Sequence, residues 1–390
     1  MDVTRLCSEL VKIRSENPPG YTDEVISYLQ EICSGIGVDT KVVSQGRKSN
    51  LLSKDIQNHF LLCGHVDVVP ALDDGWINPP YSGFIDETCV YGRGSTDMKG
   101  GVAALLSALA EVIDRGIDPP VDLAFVCDEE GNGDFGMEYL VQKRLLRPKA
   151  CLIAEPTPEL SPVIGEKGVL RLHITFTGDA GHASLHPVLG NSAIVQACSF
   201  LEYCENIHSR RWLDDPLVRE VIENTTQSLS ALLSITKEQS TAILSRVSYN
   251  PGIISGGERM NVIAQKCLLD LDMRIPWGCD VDSLIRDIQT HLSDTQVDVM
   301  DVAKPTLSRP GMLCDLVCAG ILAVHGKKAK PGVTQAASDA RHLREIGAEV
   351  VNYGPGDLSR LHAVNECVPI HMLEHCKDVY MHVLSHIPSP

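Results

Sequence analysis

The chain has no excess of positive charge: among its 390 residues, 34 Lys and Arg stand against 51 Asp and Glu, a net charge of −17. That excludes a general nucleic-acid binder, because a phosphate backbone is held by a basic footprint. Nor is there an apolar run of the ~20 residues that span a bilayer. The longest stretch, Val102 to Ile113, is interrupted by Ser107 and Glu111. The start, Met1-Asp2-Val3-Thr4-Arg5, lacks a signal peptide's basic opening and apolar core, so a cytoplasmic protein is expected. Its fourteen cysteines lack a disulfide-framework spacing and read as reduced, small apolar residues. Internal repeats and low-complexity tracts are missing too. No Gly-x-Ser-x-Gly elbow supports a serine nucleophile. His371 and His375 have i,i+4 spacing but no adjacent Glu of a zincin helix, and read as ordinary helix residues.

What is present is ordinary globular material, 44% hydrophobic and 22% charged, enough for a large core and two or three domains. Helical periodicity over Thr22–Gly35 and Gly100–Arg115 is interleaved with short apolar runs at Phe60–Cys63, Val121–Val126 and Ala150–Ile153. This pattern predicts an α/β unit built on buried, mostly parallel strands. From about Val169 the pattern changes to strict alternation, at Leu170–Phe176 and again at Leu268–Met273, as half-exposed antiparallel strands require. With helical segments near 192–206 and 281–292, residues 170–303 are expected to form an inserted α+β domain of βαββαβ order. The first domain then comprises 1–169 and 304–390, resuming with a helix at Met312–His325 and a strand at Ala348–Tyr353. Residues 210–245 are polar and weakly helical, without an assigned place.

Of five acid- or histidine-bearing motifs, four fall just after predicted strands, where open α/β sheets build their sites, and the Asp97 motif leads into a helix. They are Gly64-His65-Val66-Asp67, Gly94-Ser95-Thr96-Asp97-Met98-Lys99, Cys127-Asp128-Glu129-Glu130, Ala154-Glu155-Pro156 and Gly354-Pro355-Gly356-Asp357 running on to His362. Residues i and i+2 share a face of an extended segment, so Asp67 is placed to hold one ring nitrogen of His65 while the other binds a metal. Consecutive glutamates at a strand end can divide labour, one ligating and the other acting as general base. Singly each motif is unremarkable. Together His65, Asp97, Glu130, Glu155 and His362 fit a dinuclear centre of mixed nitrogen and oxygen donors, which zinc tolerates well. Gly131-Asn132-Gly133-Asp134-Phe135-Gly136 matches a dinucleotide fingerprint, but Asp128, Glu129, Glu130 and Asp134 would repel a pyrophosphate.

In combination and order, these motifs resemble the dinuclear-zinc metallopeptidase and deacylase family of acetylornithine deacetylase, succinyl-diaminopimelate desuccinylase, aminoacylase and glutamate carboxypeptidase. The resemblance runs through Trp76, Pro79-Pro80-Tyr81, Gly92-Arg93-Gly94 and Glu366. It implies two zinc ions per chain, replaceable by cobalt, one held by His65, Asp97 and Glu155 and the other by Asp97, Glu130 and His362. Asp97 would bridge them and be followed by a cis peptide. Glu129 would be the general base, acting through a metal-bridging hydroxide, and Asp67 the partner of the metal-bound histidine. The first domain would be catalytic and the inserted one a lid and dimerisation domain, in which Gly181-His182-Ala183-Ser184 would bring His182 to the partner subunit's oxyanion. Asn261 and Arg274 would bind substrate, Arg274 through its planar fork.

For the substrate, the resemblance implies a small acylated amino acid or short peptide, handled by a homodimer with no nucleic acid or membrane involved. Departures from the desuccinylase pattern bear on the choice. Its Gly-Arg-Arg-Gly-Ser is replaced by Gly165-Glu166-Lys167-Gly168-Val169, and its Thr-Ser-Asp-Gly-Arg by Ala337-Ser338-Asp339-Ala340-Arg341. Glu155, where carboxypeptidases of the family tend to have Asp, favours a deacylase. An N-acyl-amino-acid deacylase of acetylornithine deacetylase or succinyl-diaminopimelate desuccinylase type is therefore expected, with a dipeptidase or carboxypeptidase as the alternative.

Overall fold

The computed structural model describes residues 1–388 apart from 58, 72, 73, 132, 134, 213 and 214. Asn132 and Asp134 of the glycine-rich acidic loop therefore lie outside the described residues. Among the described residues the largest sheet has nine strands. Its centre is four parallel strands in the order Asp122–Val126, Phe60–His65, Ala150–Ile153 and Glu349–Asn352. Antiparallel neighbours extend it on both sides: Lys48–Ser53 then Thr40–Gln45 at one edge, and Val163–Glu166 then Thr306–Leu307 at the other. Phe60–His65, Asp122–Val126 and Ala150–Ile153 are buried at every position, which is why they read as continuous apolar runs rather than as alternation.

Helix Gly100–Asp114 is buried over almost its whole length and packs against Ile370–His386 and Val3–Lys12. Gly101 at its start lies so close to the Ala154 carbonyl that a Cβ would strike it. The absent side chain lets the helix following Asp97 pack directly on the loop that carries Glu155.

A second, four-stranded antiparallel sheet runs in the order Ser248–Gly256, Lys266–Ile275, Gly168–Thr177 and Gln296–Ala303. It has its own core. Leu170, Leu172, Ile174 and Phe176 alternate inward against Ala193, Ala197, Phe200, Cys204 and Ile207 of one helix and Val281, Leu284 and Ile288 of another. The outward positions carry charge, with Arg171 3.0 Å from Asp272 and 3.3 Å from Asp301, and His173 2.6 Å from Asp270. Residues 216–245 form two helices, Pro216–Leu233 and Lys237–Ser245, that pack into the larger core through Val218, Val221, Ile222, Leu229 and Leu244. Thr225 joins them to the large sheet by accepting from the Val333 amide at 2.8 Å. Among the described residues no helix is long and apolar enough to cross a membrane.

Candidate metal centre

The C-terminal ends of the parallel strands bring the five motifs together. His65 is the last residue of its strand, Asp128, Glu129 and Glu130 follow the next strand, and Glu155 lies two residues beyond Ile153. Asp97 occupies the turn ahead of helix Gly100–Asp114, and its bond to Met98 is cis, as the family resemblance led us to expect.

Asp97 stands between the two histidines. Its Oδ1 lies 3.0 Å from His65 Nε2, and its Oδ2 lies 3.2 Å from His362 Nε2. Glu155 Oε1 approaches His65 Nε2 at 3.6 Å, and Glu130 Oε1 approaches His362 Nε2 at 3.2 Å. Asp97 thus faces two pairs, His65 with Glu155 and His362 with Glu130. Donor atoms of His65, Asp97 and Glu130 also lie within 4.8 Å of one another.

The electrostatics show a site short of positive charge. Burial pushes Glu129 and Glu155 well above the ordinary carboxylate range; neighbouring carboxylates push further, and His65 opposes them. Burial likewise raises Glu130, and it brings Asp339 to about 7. Asp97 moves the other way: burial opposes its ionisation, but hydrogen bonds from His362 and His65 outweigh burial and hold the carboxyl well below its usual range. Hydrogen bonds to Asp97 and Glu130 raise His362 to about 10. Burial alone would lower His65, yet Glu155, Asp97 and Glu129 raise it well above an ordinary imidazole. Raised carboxyls and raised imidazoles both express a demand for cations, which divalent metal satisfies without protons. Glu130 Oε1 is buried, with His362 Nε2 at 3.2 Å as its near neighbour.

The surroundings fix these donors. His65 Nδ1 lies 2.9 Å from the Asp67 carbonyl oxygen, an arrangement that leaves Nε2 facing Asp97. The histidine's near partner is thus the main chain of Asp67, with its carboxylate 3.7 Å away. That carboxylate accepts instead from the amides of Glu129 at 3.3 Å and Glu130 at 3.1 Å and from Asn17 Nδ2 at 2.8 Å, holding the glutamate loop in place. Asp128 and His362 adopt left-handed backbone conformations unusual for residues other than glycine, at φ 64° and 57°. Lys48 Nζ holds the Asp128 carboxylate at 2.6 Å, and Arg93 Nη2 holds the His362 carbonyl at 3.2 Å.

Glu366 and Arg93 have a role that motif reading did not assign. The Glu366 carboxylate accepts from the amides of Thr96 at 2.9 Å and Asp97 at 3.1 Å, and Arg93 Nη1 donates to it at 2.6 Å. Both residues are buried, so Arg93→Ala would strand a carboxylate in the interior. We expect this substitution to destabilise the fold by about 3–5 kcal/mol in urea unfolding and to loosen metal at Asp97; unchanged stability would remove Arg93 from this role.

A cavity of about 520 Å³ opens beside the cluster, lined among others by Glu129, Glu130, His362, Arg171, Arg274 and Arg341. Arg274 thus lines the cavity, with Asp272 2.8 Å from its Nε. Arg341, which closes the Ala337–Arg341 motif but received no role from it, makes no ion pair among the described residues. Lys167 of the Gly165–Gly168 segment turns away, donating to the carbonyls of Ile243 and Arg246 at 2.8 and 2.7 Å. His182 and Asn261 lie elsewhere, on adjoining loops of the smaller unit, where the Ala183 amide donates to the Asn261 carbonyl at 3.1 Å. Neither lines the cavity within this chain.

The sequence model of "Peptidase family M20/M25/M40" matches residues 61–386. Succinyl-diaminopimelate desuccinylase of Acidiphilium cryptum (strain JF-5) is 27% identical over 401 aligned residues, covering 99% of this chain and 98% of its own. The probable carboxypeptidase S-like 2 of Dictyostelium discoideum is 26% identical over 382, covering 83% and 71%. Among solved structures, the M20 family metallo-carboxypeptidase Sso-CP2 from Sulfolobus solfataricus superposes with a TM-score of 0.81 at 18% identity, covering 100% of this chain and 99% of that one. Human carnosine dipeptidase 1 superposes at 0.74 with 16% identity, covering 98% and 95%. These structural likenesses establish a shared α/β fold.

Proposed function

Because the chain belongs to peptidase family M20/M25/M40 and is a metal-dependent hydrolase, we propose that it hydrolyses the linear amide of an N-acyl amino acid, using two zinc ions that cobalt can replace. The observation that carries this reading is the sharing of Asp97 between two histidine-containing donor sets, with Glu129 left over beside the cavity. His65, Asp97 and Glu155 would hold one ion, and His362, Asp97 and Glu130 the other. Bound metal supplies Lewis acidity, acidifying a water and polarising the scissile carbonyl. Glu129 takes the water's proton and returns it to the departing amine, a task suited to a carboxylate whose proton affinity burial has raised. Asp67 holds the Glu129 amide in register, and Arg274 with Arg341 meets the substrate carboxylate.

Residues 170–303 serve in this reading as lid and dimerisation unit on a catalytic unit of 1–169 and 304–390, with helices Pro216–Leu233 and Lys237–Ser245 of that stretch packed into the larger core. Support comes from the open edge strand Ser248–Gly256, where Ile253 and Ile254 are 62% and 50% exposed. An apolar, unpaired edge is a template for pairing with another chain. A partner seated there is how His182 and Asn261 would reach a neighbouring cavity and steady the oxyanion. Ile253→Lys should then yield a monomer in sedimentation velocity together with a loss of activity; a fully active monomer contradicts the assignment of His182. Fourteen free cysteines support a cytoplasmic setting.

The same cavity is also lined by Glu138, which can receive an ammonium. Either a diamino acid or the aminoacyl half of a dipeptide offers one, so a dipeptidase or carboxypeptidase is the second reading. Amine release by zinc- or cobalt-loaded protein from N-acetyl-ornithine, N-succinyl-diaminopimelate, other N-acyl amino acids and dipeptides separates them. Preference for an acyl-amino acid is expected. Cleavage of dipeptides alone moves the chain to the peptidase reading.

A further inference from the structure

Outside the catalytic cavity a second group of donor side chains meets, drawn from three distant stretches of chain. His325 is the last residue of helix Met312–His325, His375 lies in helix Ile370–His386, which packs against it, and Glu159 lies on the loop beyond Glu155. One donor atom from each lies within 4.8 Å of the others. His375 Nδ1 stands 3.2 Å from Glu159 Oε1. A tetrahedral zinc ion with bonds of 2.0–2.1 Å spaces adjacent donors by about 3.3 Å, so this pair already stands at the edge length of such a site.

The third donor adds an independent observation. His325 Nε2 is a buried nitrogen with no hydrogen-bond partner among the described residues, and its ring meets that of His375 edge-on, with centroids 4.9 Å apart at 77°. Crossed rings let both imidazoles aim a nitrogen at one point, and the C-terminus of helix Met312–His325 favours a cation beside it. Glu159 is held from behind, its carbonyl accepting from Tyr353 Oη at 3.0 Å. His371, one turn before His375, has its ring centroid 5.7 Å from that of His375. Of the i,i+4 pair that looks like an ordinary helix face in sequence, His375 joins a donor cluster assembled by the fold.

We propose that Glu159, His325 and His375 form a separate binding site for a divalent ion of zinc type, completed by water. Two imidazoles and one carboxylate select zinc, cobalt, nickel or copper over magnesium and calcium, which prefer all-oxygen shells. Since the ion joins two helices and a loop, its binding stabilises the folded chain by mass action.

The test is zinc retained per chain by metal-loaded protein after dialysis against a zinc buffer, with melting temperature read in parallel. Wild type should retain one zinc more than His375→Ala and Glu159→Gln, and its melting temperature should rise with zinc in a way that both variants lose and magnesium does not reproduce. Hydrolysis should persist in both variants, and His382→Ala, which removes one ring of the stacked His382 and His386 pair on the same helix as His375, should behave as wild type. The difference holds whatever the catalytic cavity retains. Equal zinc content in wild type and both variants, or an unchanged zinc-dependent melting shift, overturns the site.

Discussion

Glu129→Gln is expected to lower kcat/KM for amide hydrolysis by about 10²–10⁴-fold, the range for a lost general base, while leaving the metal content intact. The distinction rests on geometry. Glu130 and Glu155 each approach a histidine nitrogen across a gap of metal-ligand size, at 3.2 and 3.6 Å. Glu129 makes no such pairing among the described residues, and its amide is held by Asp67 at the cavity wall. Glutamine keeps the shape and removes the ability to accept and return a proton. Steady-state kinetics combined with metal analysis checks this. Loss of metal would make Glu129 a ligand; full activity would remove it from the chemistry.

Asp97→Asn is the complementary case and should fail differently. Its two oxygens face different histidines, so a neutral amide presenting one oxygen cannot serve both donor sets. Loss of a shared anionic ligand removes several kcal/mol of charge stabilisation, so activity should fall by at least about 10³-fold, and metal content should fall with it. Far-UV circular dichroism should be unchanged, because Glu366 binds the backbone amides of Thr96 and Asp97 rather than the side chain. Retention of the full metal content in Asp97→Asn would contradict a shared carboxylate.

Much of this site was legible because its chemistry is tied to topology. His65, Glu130 and Glu155 each end or follow a strand buried at every position, whereas Asp97 stands ahead of a buried helix, and such strands announce themselves as short apolar runs: Ala150–Ile153 has the same limits in sequence and structure, and helix Met312–His325 likewise. The edge strand Ser248–Gly256 was hidden by Asn250-Pro251-Gly252, which reads as a turn. The structure absorbs it as a register shift between Pro251 and Ile253, on an edge where the proline needs no partner. The apolar stripe Val218, Val221, Ile222 and Leu229 was diluted by Thr225 and Thr226, whose hydroxyls satisfy themselves on the carbonyls of Val221 and Ile222. Positions such as Arg341 and the Glu366 carboxylate under Asp97 depend on contacts between distant segments. No local pattern encodes them.

Asp67 illustrates the same limit at one residue. Spacing puts it on the same face as His65, but whether the carbonyl or the carboxylate meets the ring depends on what else competes for the carboxylate. Here Asn17 and the amides of Glu129 and Glu130 take it. One residue thereby links the histidine of one strand end to the glutamates of the next, and so the candidate metal centre to the proposed base.

The shared Asp97 carboxylate is the centre of the account, and anomalous diffraction at the zinc edge from crystals of the zinc-loaded protein tests it most directly. The expected map has two peaks flanking Asp97, one bounded by His65 and Glu155 and the other by His362 and Glu130. A single peak, or two peaks of which only one touches Asp97, would contradict it.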